Sequence, residues 1–394
     1  MNSTQVSYFT LAAYLDTGPF KYLYFMIVMS LYIFIVSVNV MLIVVICVNR
    51  SLHEPMYIFL CSLFVNNLYG STGLFPFLLV QILSDIHTVS APFCFLQIYC
   101  VYTYGAVEYL NLAIMSYDRY LAICYPLQYN THMTSKKIAT LIALTWLYPL
   151  IACIVYTIYL HSHSQLCGNV INKVYCDGHS IVKLACSDSH LVNALGLILC
   201  FGVIFGALIV IIYTYMNIFK VCFSGSKQTR QKAVSTCTPH LASLFSFSVG
   251  ASFELLQSRF NLSNVPIMMR IFLSVYFLTF PPLFNPVMYG LKMSKIRVIG
   301  KSLMANTHTI QPAAVAFRVS SFSPPVFHHL VWTKEASGHS TTCPPQPLSS
   351  QEQTLSPNRT IWPWTQQRNN TRHTRKAFSE LSRLNELCWD NMTN

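Results

Sequence analysis

Met115-Ser116-Tyr117-Asp118-Arg119-Tyr120-Leu121-Ala122-Ile123-Cys124-Tyr125-Pro126-Leu127-Gln128-Tyr129 closes a long apolar run with an adjacent acid and base, then meets a proline. Opposite charges beside lipid-facing sequence are costly unless they sit at a membrane edge or inside a helix bundle. The stretch therefore places the end of a span in one of those two settings. The composition agrees. The chain of 394 residues is 53% hydrophobic and 10% charged, whereas a soluble domain carries about 25% charged residues.

A helical span takes roughly 20 mostly apolar residues. Seven such stretches precede residue 300, near 24–48, 56–82, 92–124, 138–160, 191–219, 233–257 and 266–290. The net charge of +12 does not indicate nucleic acid, because the basic residues lie in short loops and in the tail. One set of loops holds Arg50, Lys136, Lys137, Lys220, Lys227, Arg230, Lys232, Lys292, Lys295 and Arg297; the opposite set holds Lys21, Lys173, Lys183, Arg259 and Arg270. The more basic set stays cytoplasmic, which puts residues 1–23 outside and residue 292 onward inside. The first span is too long for a cleavable signal core and has no strongly basic flank before it. Asn2-Ser3-Thr4 is a glycosylation sequon on the expected outer side, with Asn2 as acceptor.

Several strings together carry a family resemblance. Asp118-Arg119-Tyr120 resembles the end of the third membrane helix of a rhodopsin-like G-protein-coupled receptor. The longer string through Pro126-Leu127-Gln128-Tyr129 resembles odorant receptors more narrowly. So do Leu52-His53-Glu54-Pro55-Met56-Tyr57, Lys232-Ala233-Val234-Ser235-Thr236-Cys237-Thr238-Pro239-His240-Leu241 and Pro281-Pro282-Leu283-Phe284-Asn285-Pro286-Val287-Met288-Tyr289. Glu254-Leu255-Leu256-Gln257-Ser258-Arg259-Phe260 resembles the fish-like class of that family. The resemblance implies an all-α membrane protein in the plasma membrane: a seven-transmembrane-helix bundle over 24–303, with a short amphipathic helix at 291–303. The region 304–394 is polar, proline-rich and without period, so it reads as a disordered cytoplasmic tail. Only 377–389 in it suggests an amphipathic helix. Odorant receptors end soon after the segment following helix seven, so most of this tail reads as read-through or a gene-model extension, with a functional domain as the alternative.

The resemblance also assigns roles. It implies disulfides Cys94–Cys176 and Cys167–Cys186, where sequence alone allows three pairings of these four outward-facing cysteines. It implies a switch made of Asp118, Arg119, Tyr120, Tyr215, Lys232, His240, Asn285, Pro286 and Tyr289. An odorant cavity among helices three, five, six and seven is expected to be lined by Val101, Tyr102, Gly105, Ala106, Ser248, Ala251, Leu255 and Arg259. Arginine forks onto carboxylates with two hydrogen bonds, so Arg259 is the expected anchor for an acidic or strongly polar odorant; pairing with Glu254 or snorkelling is the alternative.

Rhodopsin-like receptors place an aspartate where this chain has Asn67. Glu108 supplies the only acid at that depth and is expected to face Asn39, Asn67 and Asn285. Two states remain open there, a bound sodium ion or a neutral, hydrogen-bonded carboxyl. No other cofactor and no metal cluster is expected; a zinc site from His161, His163 and His179 is the weaker reading. The implied partners are a small-molecule odorant, a heterotrimeric G protein of the olfactory stimulatory type that raises cAMP, and membrane lipid. A transporter would need an internal repeat, and an enzyme would need paired acids, but Glu108, Asp118 and Glu254 lie at different depths.

Overall fold

The computed structural model describes residues 6–14, 18–186, 190–224, 227–259, 265–293 and 295–298, with side chains at most of them. Asn2, Asn261, Ser294, the end of the expected juxtamembrane helix and the whole tail 304–394 lie outside the described residues, as do the side chains of Lys232 and Gln257.

Seven long helices occur among the described residues: α1 Phe20–Val48, α2 Pro55–Leu83, α3 Ala91–Cys124, α4 Ser135–His163, α5 His190–Ser224, α6 Lys227–Arg259 and α7 Ile267–Lys292. Their starts have local causes. Pro55 and Pro92 stand in first turns, where a missing N–H goes unneeded, and the Thr134 hydroxyl accepts the Lys137 N–H at the start of α4. The helices outrun the apolar stretches, most of all α6, because backbone hydrogen bonding continues into water after the hydrophobic requirement ends. By the helix rise α3 is about 51 Å long, well beyond a roughly 30 Å hydrocarbon core.

Five of the seven are apolar enough on their own to cross a membrane; α3 and α6 are more polar. The packing explains this. The bundle turns apolar side chains outward, among them Ile27, Ile33, Ile154, Ile209 and Phe245. It buries Asn39, Asn66, Asn67, Glu108, Asn111, Asp118 and Asn285. A water-soluble globule does the reverse. Helix α3 lies in the middle, against α2, α4, α5 and α6, so its polar residues meet protein rather than lipid.

One end of the bundle carries a small sheet that the apolar pattern does not foretell. Strand β1 Tyr8–Leu11 lies between β2 Thr88–Ser90, antiparallel, and β3 Val170–Ile171, parallel. Phe9 and Leu11 point into the core while Tyr8 is exposed, the alternation a half-buried strand requires. Tyr14 extends the attachment, donating to the Val174 carbonyl at 2.9 Å and stacking on His87. Cys94–Cys176 ties the loop after α4 to α3, and Cys167–Cys186 closes that loop on itself.

Gly70 marks a close approach of α2 to α3. A Cβ there would stand 2.4 Å from Cδ2 of Tyr104, whose ring is fully buried and held edge-on by Phe247 and Phe277. Gly70→Ala should therefore destabilise the receptor domain by about 1–3 kcal/mol, the usual cost of overpacking. A lower melting temperature of the purified protein in detergent checks this; an unchanged one contradicts it.

Candidate functional site

A cavity of about 1110 Å³, counting its open mouth, opens at the sheet-bearing end. Val101, Tyr102, Gly105 and Ala106 form one wall, spaced to share a face of α3. Ala251, Leu255 and Arg259 approach from α6. Ser248 stands one turn earlier on α6 and is not part of the wall. Among the described residues helix α7 contributes Phe277 alone, whereas α4 contributes Tyr148, Pro149, Ala152, Cys153 and Tyr156. The cavity is thus bounded by helices three, four, five and six more than by helix seven. Its α4 wall carried no signal in the sequence, since α4 is apolar all round and little of it is buried inside the bundle. Gly196 hints at it in retrospect: a Cβ there would stand 2.5 Å from the Tyr156 hydroxyl oxygen.

The loop residues Asp177, Gly178 and His179 also line the cavity. Lys173 joins this loop to α6, with its ammonium 2.5 Å from Glu254 Oε1 and 3.4 Å from Asp177 Oδ2. Arg259 does not pair with Glu254 in this arrangement; its Nη1 donates to Asn193 Oδ1 at 2.7 Å. Burial alone would lower the Lys173 pKa, but Asp177 and then Glu254 outweigh it and hold it above the usual lysine value. Burial would likewise raise Asp177, yet Lys173 and the Ser180 hydroxyl bring it below the usual carboxylate range. Burial, reinforced by Arg259 and Lys183, pushes the His179 imidazole down to about 4, so the ring is neutral at pH 7. His161 packs on Phe95 and His163 on Tyr159, apart from His179. No group of three metal-ligating side chains stands together among the described residues.

Below the cavity, aromatic rings join α3, α6 and α7. Phe247 meets Tyr109 at 4.9 Å and Phe277 at 5.1 Å. Gly105 is again a close approach, where a Cβ would lie 3.3 Å from Phe277. Under this floor sits Glu108, fully buried. Its carboxylate accepts from Asn66 Nδ2 at 2.8 Å and from Asn285 Nδ2 at 2.9 Å. The amide from α2 is therefore that of Asn66, not Asn67. Asn67 donates instead to Asn39 Oδ1 at 3.0 Å, and Asn39 donates to the Pro282 carbonyl at 2.9 Å. Successive helical residues point about 100° apart, so one of two adjacent asparagines reaches α3 and the other α1.

At the far end of α3, Asp118 is fully buried and accepts from Arg119 Nε at 3.0 Å and from its Nη2. Tyr129 also donates to Asp118, at 2.6 Å. Burial and then the Asp118 carboxylate raise the Tyr129 phenol above its ordinary pKa, which keeps it a donor. Tyr215 from α5, His240 from α6 and Tyr289 from α7 are buried at this end, with His240 edge-on to Tyr289 at 5.7 Å. Tyr120 turns away from them, donating to the Tyr125 hydroxyl at 3.2 Å and packing on Tyr213. Pro286 lies inside α7, one turn after Pro282.

A cavity, a buried polar layer and an ion-paired Asp-Arg on one central helix invite comparison with known proteins. Residues 28–306 match the family model described as olfactory receptor. The chain belongs to the olfactory receptor family. It is 32% identical over 309 residues to human olfactory receptor 8U8, covering 78% of this chain and 95% of that protein. It is 31% identical over 305 residues to mouse olfactory receptor 8U3, covering 77% and 95%. The fold is similar to squid rhodopsin, with a TM-score of 0.57 at 17% identity, over 75% of this chain and 89% of that one. This olfactory receptor is accordingly a multi-pass G-protein-coupled receptor of the plasma membrane and not an enzyme. The family match ends at residue 306, so it leaves most of the tail unmatched.

The His179 shift sets a pH dependence for the receptor. Between its folded pKa of about 4 and the ordinary histidine value of about 6.5, the unfolded chain binds more protons than the folded one. Stability should therefore fall as pH drops through that window. The contribution of Asp177 is lost only further down, as its depressed pKa is passed. The melting temperature of the wild type should decline from pH 7 to pH 5 more steeply than that of His179→Ala; parallel declines contradict the assignment.

Proposed function

We propose that a small odorant enters the cavity from outside the cell and shifts this receptor toward a form that activates an olfactory-type stimulatory G protein, raising cAMP. In this reading the sheet-bearing end and the N-terminus are extracellular, and the end with Arg50, Lys136, Lys137 and Lys292 is cytoplasmic. One observation carries it: a single helix, α3, lines the cavity at Gly105 and holds the Asp118–Arg119 pair at its other end, about 21 Å away by the helix rise. An agonist acts only by binding one form better than the other. In the form described, Asp118 holds Arg119 and is itself held by the Tyr129 hydroxyl. Activation releases Arg119 toward Tyr215 and Tyr289 as α6 swings out, opening a groove for a helix of the G protein.

Arg119→Ala should reach the cell surface and lose most agonist-evoked cAMP in cells carrying the olfactory stimulatory G protein. Full cAMP output at equal surface expression would sink the scheme.

A sodium ion beside Glu108 belongs to the same proposal. Sodium is a hard cation suited to oxygen ligands. Oδ1 of Asn66 and of Asn285 are buried without hydrogen-bond partners, while the nitrogens of the same amides bond the carboxylate. The purified receptor should melt higher in sodium chloride than in choline chloride of equal ionic strength, and Glu108→Gln should abolish the difference. Equal melting in the two salts rules the ion out.

A further inference from the structure

Segment 173–179 of the loop after α4 forms a strap between α3 and α6. Three contacts seat it on α3. They are the disulfide Cys94–Cys176, the Cys176 N–H donating to Gln97 Oε1 at 2.8 Å, and Gly178, where a Cβ would stand 2.7 Å from the Tyr102 hydroxyl oxygen. The tie to α6 is ionic. The Lys173 ammonium lies 2.5 Å from Glu254 Oε1 and 3.4 Å from Asp177 Oδ2, and none of the three side chains is more than 15% exposed. Asp177 lines the cavity on the strap, and Glu254 lines it on α6. One buried cation therefore joins two walls of the cavity.

We infer that Lys173 is a positioning residue of the cavity: through Glu254 it sets the distance between the strap and α6, and with it the width of the passage a ligand uses. The inference rests on the odorant-receptor reading of this cavity and deepens it. Lys173 is not itself on the cavity wall, so it acts through Asp177 and Glu254. A buried ion pair adds little stability over an apolar contact, because desolvating the charges offsets their attraction. Its charge-assisted hydrogen bonds are short and directional, so it fixes position instead. The disulfide keeps the strap on α3. The bond from Lys173 to Glu254 is the joint that gives, and when it gives, α6 leans away from the strap.

Cys153 and Cys200 are free thiols on the wall of the same cavity. Their reaction with a water-soluble methanethiosulfonate, added to the purified full chain in lipid nanodiscs, reports on the passage. Peptide mass spectrometry reads these two thiols apart from the other cysteines. The charge of the reagent is chosen against the expected effect. Glu254→Gln makes the site less negative, so charge alone would slow a trimethylammonium reagent. Losing a charge-assisted hydrogen bond should instead speed the labelling about tenfold. Lys173→Gln makes the site more negative, so charge alone would slow a sulfonate reagent, and its labelling should also speed up by about tenfold. Exchanging the pair, Lys173→Glu with Glu254→Lys, keeps one lysine between two carboxylates and should return both rates to near wild type. Unchanged or slower labelling in either single variant overturns the inference, and so does an exchanged chain that labels as fast as the single variants. Should one single variant fail to fold, the other decides. Should both fail, the exchanged chain decides: wild-type labelling supports the inference, while fast labelling or a failure to fold overturns it. No odorant enters the measurement. A chain that labels as expected yet raises no cAMP to any odorant refutes the odorant reading only, and one that signals but labels alike in every variant refutes this inference only.

Discussion

Pro286 has no N–H to offer the carbonyl one turn before it, that of Pro282. In hydrocarbon an unpaired backbone oxygen costs several kcal/mol. Asn39 of α1 donates its amide to that oxygen. The same amide also donates to the Ile35 carbonyl on its own helix, and its oxygen accepts from Asn67 of α2. One side chain thereby repairs a break in α7 and fixes the register of three helices. The proline leaves α7 locally free of its own ladder, and the asparagine keeps that freedom from becoming disorder. The bundle depends on this requirement, that a backbone group freed from its helix within the membrane find a partner inside the protein.

The same requirement shapes the layer around Glu108. A carboxylate at this depth has no water to rely on, so the amides of Asn66 and Asn285 converge on it from α2 and α7. Those contacts place α3 between its neighbours at mid-depth. Disulfide Cys94–Cys176 and the β-sheet fix it at one end, and at the other Tyr129, from the segment that follows it, bonds its Asp118. Helix α3 touches the cavity, the polar layer and the ion pair in turn, and the proposed transmission of a signal runs along it.

Much of the fold was legible because lipid imposes a simple rule on composition. Spans announce themselves as long apolar runs, and Pro55 and Pro92 announce helix starts. The cavity was legible on α3, where positions spaced by three and four residues had to share a face. It was not legible on α4, whose apolar positions serve lipid and ligand alike, so that nothing in the chain separates Ala152 and Cys153 from their neighbours. The assignment of Asn67 to Glu108 missed by one residue for a related reason. Two adjacent asparagines are equivalent in a string of letters and point in different directions on a helix.

The order of apolar spans, the asymmetry of basic loops and the recurrent strings at Asp118-Arg119-Tyr120 and Asn285-Pro286-Val287-Met288-Tyr289 were enough by themselves to determine a seven-helix receptor. These are local properties: a residue's cost in lipid and its place in a short motif depend on its own neighbourhood. Tertiary structure alone decided that β1 lies between two loops about 80 and 160 residues away, that Lys173 rather than Arg259 holds Glu254, and that His179 stands on the cavity wall. Those outcomes depend on which distant groups are left needing a partner once the helices have packed, and no neighbourhood along the chain contains that information.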